Sequence, residues 1–250
     1  MSHRIPGFTF TGMYIYECVG ISHTIAEYRH DETGIEFNLI PGGSFLMGGT
    51  AWTWELPVHQ VTLQPFLMGK YECTQAQYKM IMGVNRSFYT GNNRPVERVT
   101  WHDSDNCCSR VGLELPTEAQ WEYACRGSSI TRYYFGDDNA ESIAYAWDRL
   151  NAENTTQPVG GRRPNAFGLY DMHGNVLEWC RDYWYNTHTG APTDGSARNY
   201  DPEGRGRRVL RGGSFMARLS GIIGRSGSRR WGIATRCQRN LGFRFSYSDF

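Results

Sequence analysis

Apolar and polar positions follow strand-like patterns near the start of the chain. The sequence VHQVTL, residues 58–63, alternates apolar and polar residues, which is the signature of a half-buried strand. The preceding sequence IEFNLIPGGSFLMGG, which starts at Ile35, reads as two short strands around Pro41, Gly42 and Gly43, because proline and glycine favour tight turns. The pattern therefore predicts a hairpin-rich opening.

Two later stretches carry helix-start signals. In TQAQYKMIMG, Thr74 can cap backbone N–H groups while Gln77 reaches back, and Thr117 with Gln120 repeats the arrangement in TEAQWEYACRG. The glycine that closes each stretch is the predicted stop. The sequence RPVERVTWHDSDNCCSRVGLELP between them predicts a strand and a further short helix, and much of the C-terminal half is predicted to be ordered loop.

The predicted organisation is one domain preceded by an extension. Residues 1–34 show no clear period and are interpreted as an N-terminal extension, which leaves residues 35–250 as the domain. A chain of 250 residues with 40% hydrophobic content can bury one sizeable core. Its 29 glycines and 10 prolines, spread between short apolar runs, favour a loop-rich α+β fold over a helical bundle.

No targeting or membrane segment is visible in the sequence. A membrane-spanning helix needs about 18 or more consecutive apolar residues, and the chain contains no such run. The start also lacks a lysine-rich region followed by a sustained apolar run, so no signal peptide is predicted. A soluble chain is expected, and a cytoplasmic, phage-borne or exported location with a trimmed leader stays open.

Seven cysteines are scattered along the chain without any CxxC pair. An odd number in this arrangement fits neither a disulfide framework nor a zinc site. We therefore expect reduced thiols packed in the core, which points weakly to a reducing compartment.

The C-terminal region is strongly basic although the net charge of the chain is +1. Eleven arginines and no acidic residue lie between Arg205 and Arg244. A nucleic-acid patch is one explanation; the other is that these arginines pair with carboxylates from earlier in the fold. The second is preferred, because single-stranded binders add an aromatic platform and only Phe215 and Trp231 interrupt the run before GFRF.

Six motifs in fixed order resemble the formylglycine-generating enzyme family, also called the sulfatase-modifying factor family. The resemblance extends from about Ile35 to Phe245, and its motifs are IPGGSFLMG, VTLQPFLMGKYECTQAQY, RPVERVTWHDS, LPTEAQWEYACRG, PVGGRRPNAFGLYDMHGNVLEWCRDYW and RVLRGGSF…NLGFRF. It implies a variant of the C-type-lectin fold, with one α+β domain and little regular structure.

The motif GLYDMHGNVLEW implies a structural role and a candidate cation site. Trp179 supplies large apolar area for a loop-rich core. The positions at which family members hold calcium correspond to Asp171 and Glu178 and to the carbonyls of Gly174 and Val176, and hard oxygen ligands suit that ion. The alternative is that the carboxylates hydrogen-bond the loop without a metal.

The resemblance also implies that this chain lacks the family's oxidase chemistry. Catalytic members use two cysteines shortly after GGS to bind copper and oxidise a substrate cysteine, and those positions fall at or near Ala217 and Ile222. Neither side chain can supply the thiolate that the chemistry needs. Cys237 lies too far along the chain to replace either without a rebuilt loop. We therefore expect no enzymatic activity, no copper and no required cofactor.

Residues 211–245, within the frame RVLRGGSF…NLGFRF that starts at Arg208, also resemble the variable region of proteins diversified by retroelements. Apolar residues inside it lie among Gly, Ser and Arg without helical or strand period, as on a displayed binding face. The predicted ligand-contacting residues are Arg218, Leu219, Ile222, Ile223, Arg229, Arg230, Trp231, Ile233, Thr235 and Arg236.

The sequence therefore predicts a non-enzymatic recognition protein with a lectin-like scaffold. Its partner is expected to be a macromolecule, a protein or a glycan surface, because an open patch suits such a target better than a small molecule. Nucleic acid is not expected. Two alternatives stay open: a formylglycine-generating-type oxidase with displaced cysteines, and a catalytically dead regulatory paralogue.

Overall fold

The computed structural model describes residues 4–219 and 224–250, which form three sheets, four α-helices and long connecting loops. The strands are β1 (Phe8–Cys18), β2 (Ile21–His30), β3 (Glu36–Ile40), β4 (Gly43–Met47), β5 (His59–Leu63), β6 (Phe66–Gly69), β7 (Leu177–Tyr183), β8 (Arg207–Arg211), β9 (Arg230–Ile233), β10 (Leu241–Gly242) and β11 (Ser246–Tyr247). The helices are α1 (Gln75–Met82), α2 (Trp101–Ser109), α3 (Glu118–Arg126) and α4 (Ser142–Tyr145), with 3₁₀ turns at Thr53–Glu55 and Asn139–Glu141. The predicted loop-rich α+β class is confirmed.

The largest sheet joins the N-terminal strands to the rest of the domain. Its strand order is β1-β2-β3-β6-β11, and all the pairings are antiparallel. Strands β2 and β3 pair in register from Glu27 with Asn38 to Arg29 with Glu36. The boundary placed after residue 34 therefore falls between two hydrogen-bonded strands. The interpretation of residues 1–34 as an extension is corrected, because β1 and β2 complete this sheet.

The two strands predicted around Pro41 are present but do not form a hairpin, because β3 pairs with β2 and β6 while β4 pairs with β5. Strands β3 and β4 flank Pro41 and Gly42, and β5 pairs with β4 in a two-stranded sheet. A third sheet has the order β10-β7-β8-β9, in which only the β10–β7 pairing is parallel. This third sheet contains short parts of the C-terminal frame, in β8, β9 and β10, and has β9 at its edge.

Both predicted capping boxes are confirmed. The Thr74 hydroxyl accepts the Gln77 backbone N–H while the Gln77 side chain accepts the Thr74 backbone N–H, and Thr117 with Gln120 does the same. The helices end in left-handed backbone at the predicted stops, Gly83 and Gly127. No helix within the described residues is long and apolar enough to cross a membrane.

The thiols behave as the cysteine pattern predicts. All seven are free, and six of them are buried. Burial raises the pKa of Cys125 to about 12, so this thiol stays protonated and acts as a packing group. Cys237 differs from the others because it is exposed.

Trp179 lies at the centre of one of two hydrophobic clusters and is fully buried. Its indole Nε1 donates to the carbonyl of Val99 at 3.1 Å. Gly232 on β9 packs directly over the ring, and a Cβ there would lie 2.6 Å from a ring carbon. The side chain thus ties β7, β9 and the loop before α2 together.

Trp179→Ala should lower the free energy of unfolding by about 3–5 kcal/mol, because the change removes a buried ring and leaves a cavity. Trp231→Ala is the matched control, since its ring is 42% exposed, and we expect a loss of less than about 1 kcal/mol. Urea unfolding of both variants measures the difference. Equal losses would show that Trp179 does not carry the core.

Candidate ligand-binding surface

Buried ion pairs hold the frame of residues 211–245 against helix α3. Arg211, which is fully buried, donates to the Glu122 carboxylate and to the carbonyls of Ser226 and Ser228. Arg229 donates to both oxygens of Glu118, with 2.7 Å between Nη2 and Oε2. The start and the middle of the frame are thereby fixed to one helix.

Further arginines of the basic run pair in the same way. Arg225 contacts Glu55 at 2.6 Å, and Arg244 contacts both oxygens of Glu178 at 2.7 Å. The interpretation that arginines of this run pair with carboxylates from earlier in the fold is confirmed for four of the eleven, namely Arg211, Arg225, Arg229 and Arg244.

The exposed positions of the frame form the surface that we call the display surface. It comprises Arg218, Arg230, Trp231, Ile233, Thr235 and Arg236, all of them exposed and all predicted as ligand contacts. Trp231 and Ile233 are large apolar side chains with 42% and 49% of their area exposed on the edge strand β9. Ile222 and Ile223, also predicted as contacts, lie outside the described residues.

Two predicted contact residues are corrected by their burial. Leu219 is only 2% exposed and packs in the hydrophobic core, while its backbone N–H donates to Asp148 and its carbonyl accepts from Asn139. Arg229 is buried because its guanidinium is held by Glu118. Both side chains are buried beneath the display surface, so neither is exposed for contact with a macromolecule.

An aromatic pocket adjoins the display surface and was not predicted. Its volume is about 390 Å³, and its lining residues are Trp52, Trp54, Glu55, Trp184, Ser228, Arg229, Arg230 and Trp231. In the sequence, the close spacing of Trp52 and Trp54 was the one local indication of this pocket. Their meeting with Trp184 and Trp231 depends on contacts between distant parts of the chain.

A second concavity, which we call the Cys237 cleft, lies beyond the end of β9. It has a volume of about 540 Å³ and is lined by Phe88, Arg98, Met216, Cys237, Gln238, Arg239 and Asn240. Met216 is 55% exposed and immediately precedes Ala217. The exposed thiol therefore shares a cleft with the neighbour of a position at which the family resemblance places a catalytic cysteine.

The calcium candidates surround a buried excess of negative charge. Asp171, Glu178 and the neighbouring Glu72 are all buried, and Arg244 pairs with Glu178. Burial raises the pKa of Asp171 to about 6, and burial together with the charges of Asp171 and Glu178 raises the pKa of Glu72. In the described part of the chain, Asp171 Oδ1 has no hydrogen-bond partner.

The backbone at this cluster is tightly packed. Gly174 lies so close to Trp147 that a Cβ would be 2.4 Å from its carbonyl oxygen, so this position requires glycine for space. Val176 donates its backbone N–H to Glu72 at 3.0 Å. The Glu178 carboxylate is already bonded by Arg244 and by the indole of Trp121, so it is the least available of the predicted ligands.

The chain matches the sulfatase-modifying factor enzyme 1-like domain over residues 24–247. The chain belongs to this family. The match begins within β2, which agrees with the position of that strand in the domain sheet.

The proteins similar to this sulfatase-modifying-factor-like chain include an enzyme and a variable protein. The formylglycine-generating enzyme of Streptomyces coelicolor is 30% identical over 82% of this chain and 87% of its own length. PvdO from Pseudomonas aeruginosa superposes with a TM-score of 0.78 at 29% identity, covering 88% of this chain and 97% of that structure. Treponema denticola variable protein 1 superposes with a TM-score of 0.76 at 26% identity, covering 94% and 98%. The predicted formylglycine-generating-enzyme-type, C-type-lectin-like fold is confirmed.

Glu118→Gln should lower the free energy of unfolding by about 3–5 kcal/mol near neutral pH, because it leaves the Arg229 guanidinium buried without its counter-ion. Burial opposes ionisation of Glu118, but the charges of Arg229 and Arg211 outweigh it and lower its pKa to about 2. Its contribution is therefore present above an unfolded pKa of about 4.3 and is lost as the pH falls towards 2. Denaturant unfolding of both proteins from pH 7 to pH 3 should show the difference shrinking.

The matched control is Glu114→Gln. Glu114 pairs with Arg181 at 2.8 Å, and both side chains are about two-fifths exposed. An exposed pair contributes at most about 1 kcal/mol. A loss as large as that of Glu118→Gln would contradict the distinction between buried and exposed pairs.

Proposed function

We propose that this protein is a non-enzymatic recognition protein that binds a macromolecule through the display surface. The observation that carries the proposal is the separation within residues 211–245 between paired, buried arginines and exposed contact-forming residues. Exposed side chains that contribute little to core packing can be substituted without loss of the fold. Such a division suits a protein whose contact residues are diversified.

The likeness to Treponema denticola variable protein 1 supports this proposal. That structure covers 94% of the present chain and bears the name of a variable protein. Its framework thus accommodates a protein described as variable, whereas the same family also contains formylglycine-generating enzymes. We propose that the present chain is likewise a variable protein, and that residues 211–245 are the segment whose sequence is diversified.

The target is proposed to be a protein or a glycan surface. Trp231, Ile233 and the arginines of the display surface combine apolar area with hydrogen-bond donors, which is the composition of interface hot spots. Nucleic acid is disfavoured because buried carboxylates neutralise Arg211, Arg225, Arg229 and Arg244.

Sequencing the source genome around the coding region tests the proposal. We expect a reverse-transcriptase gene and a near-identical template repeat of the segment for residues 211–245, whose mismatches fall at adenines of the template. Deep sequencing of one strain should then show variation at the display surface and none at Arg211, Arg229 or Arg244. A single fixed sequence with neither element nearby would favour a regulatory paralogue.

We also propose that calcium is a structural ion beside Asp171. The unpartnered Asp171 Oδ1 and the excess of buried carboxylates support this, and the carbonyls of Gly174 and Val176 would complete an oxygen donor set. The ion would neutralise the carboxylates and stabilise the loop before β7. The alternative is that protonated carboxylates hydrogen-bond the loop without a metal.

Chelation followed by calcium addition tests this ion. Removal should lower the melting temperature and excess calcium should restore it, because the ion binds the folded state preferentially. Asp171→Asn should abolish the response. The control is Asp182→Asn, since burial also raises the pKa of Asp182 to about 6 but its oxygens accept the backbone N–H groups of Glu118 and Arg198. A wild-type melt that calcium leaves unchanged would contradict the proposal.

The second candidate function is an oxidase that recruits Cys237. The observation in its favour is that the exposed thiol and Met216, the neighbour of Ala217, line one cleft. Incubation with copper and a cysteine-containing sulfatase-motif peptide under oxygen tests it. Aldehyde formation that Cys237→Ala abolishes would establish the oxidase and overturn the non-enzymatic proposal, whereas an unmodified peptide would eliminate it.

A further inference from the structure

The aromatic pocket presents indole rings that are held in place before any ligand arrives. Trp52 and Trp54 stack with 4.7 Å between ring centroids and 11° between their planes. Trp184 donates its Nε1 to Asn186 at 2.9 Å and carries the Arg229 guanidinium 4.6 Å from its ring centroid. Fixed flat walls lower the entropic penalty of binding a rigid flat partner.

The charges around this pocket leave one cation without a counter-ion. Glu118 neutralises Arg229, and Arg225 neutralises Glu55. Arg230 also lines the cavity, yet within residues 4–219 and 224–250 it forms no ion pair. Arg230 is exposed on the display surface, so an anion in the pocket can reach it and form a charge-assisted pair.

One lining tryptophan has a polar group that the pocket does not expose. The indole Nε1 of Trp54 is buried and has no hydrogen-bond partner in the part of the chain that the structure describes. The occupant therefore does not reach this donor, but a purely apolar occupant would leave Arg230 unmatched. A favourable ligand therefore combines a flat apolar face, acceptor oxygens and a single negative charge.

We propose that the aromatic pocket binds an acidic sugar residue of a glycan, with its C–H face against the indoles and its carboxylate on Arg230. A pyranose ring combines a flat apolar face with hydroxyl acceptors, and one carboxylate matches one guanidinium in a bidentate pair. This inference deepens the proposed function and rests on it, because it assigns a ligand class to the part of the display surface that Arg230 and Trp231 form.

The pocket walls come from two sources with different expected variability. Trp52, Trp54 and Trp184 lie outside residues 211–245, whereas Arg230 and Trp231 lie within them. The three tryptophans outside the segment would thus recognise the sugar ring. The preference for a charged ligand and one wall of the pocket would depend on Arg230 and Trp231, which lie in the segment proposed to vary.

Titration with trisaccharides of glucuronic, galacturonic and mannuronic acid, each beside its neutral counterpart, tests the proposal by calorimetry and intrinsic tryptophan fluorescence. At least one acidic trisaccharide should bind saturably and about tenfold or more tightly than its neutral form, since one charge-assisted pair contributes about 1.5–3 kcal/mol. Arg230→Gln should remove this preference, and Trp231→Ala should weaken both forms. Melting curves would establish that both variants fold.

The controls are Arg29→Gln and Tyr14→Ala, which remove an exposed charge and an exposed ring from the large N-terminal sheet and should leave the affinities unchanged. Indole-3-acetate serves as an aromatic carboxylate of similar charge. Tighter binding of indole-3-acetate than of every acidic sugar, equal binding of acidic and neutral sugars, or no sugar binding would each overturn the proposal. The proposed function would survive these outcomes if the genome carries the template repeat.

Discussion

The buried ion pairs between helix α3 and the C-terminal frame are the constraint on which the rest of the structure depends. Glu118 and Glu122 lie one turn apart on α3, and they hold Arg229 from the middle of the segment and Arg211 from its start. Each partner alone would be an unpaired charge in the interior, which is strongly unfavourable. The frame therefore closes only when both parts of the chain are in place, whatever residues face the solvent between them.

This division separates stability from display. The buried arginines of the frame pair with carboxylates in the interior. Arg230, Trp231 and Ile233 are exposed on the edge strand β9, which packs against Trp179 at Gly232. Substitution at the outward positions removes few packing contacts. The aromatic pocket lies where scaffold and display surface meet, so that a fixed wall and a changeable wall contact the same volume.

Membership of the sulfatase-modifying factor family connects this scaffold to two uses. The formylglycine-generating enzymes and the variable protein of Treponema denticola are similar to this chain at comparable identity. The difference that matters chemically is local. The resemblance places one catalytic thiol of the family at or near Ala217, and the exposed Cys237 lies in the cleft that the neighbouring Met216 lines. Binding would thus depend on the exposed residues of the frame, whereas redox chemistry would depend on a suitably placed thiol.

The sequence alone determined the features that depend on neighbours in the chain: the capping boxes at Thr74 and Thr117, the break between two strands at Pro41, and the family motifs. Local hydrogen bonds and turn preferences suffice for these. Only the tertiary structure decided which arginines are buried, that Leu219 points inward, and that the N-terminal strands complete the large sheet. The pocket is the clearest case, because Trp52, Trp184 and Trp231 meet through long-range packing that no local pattern records.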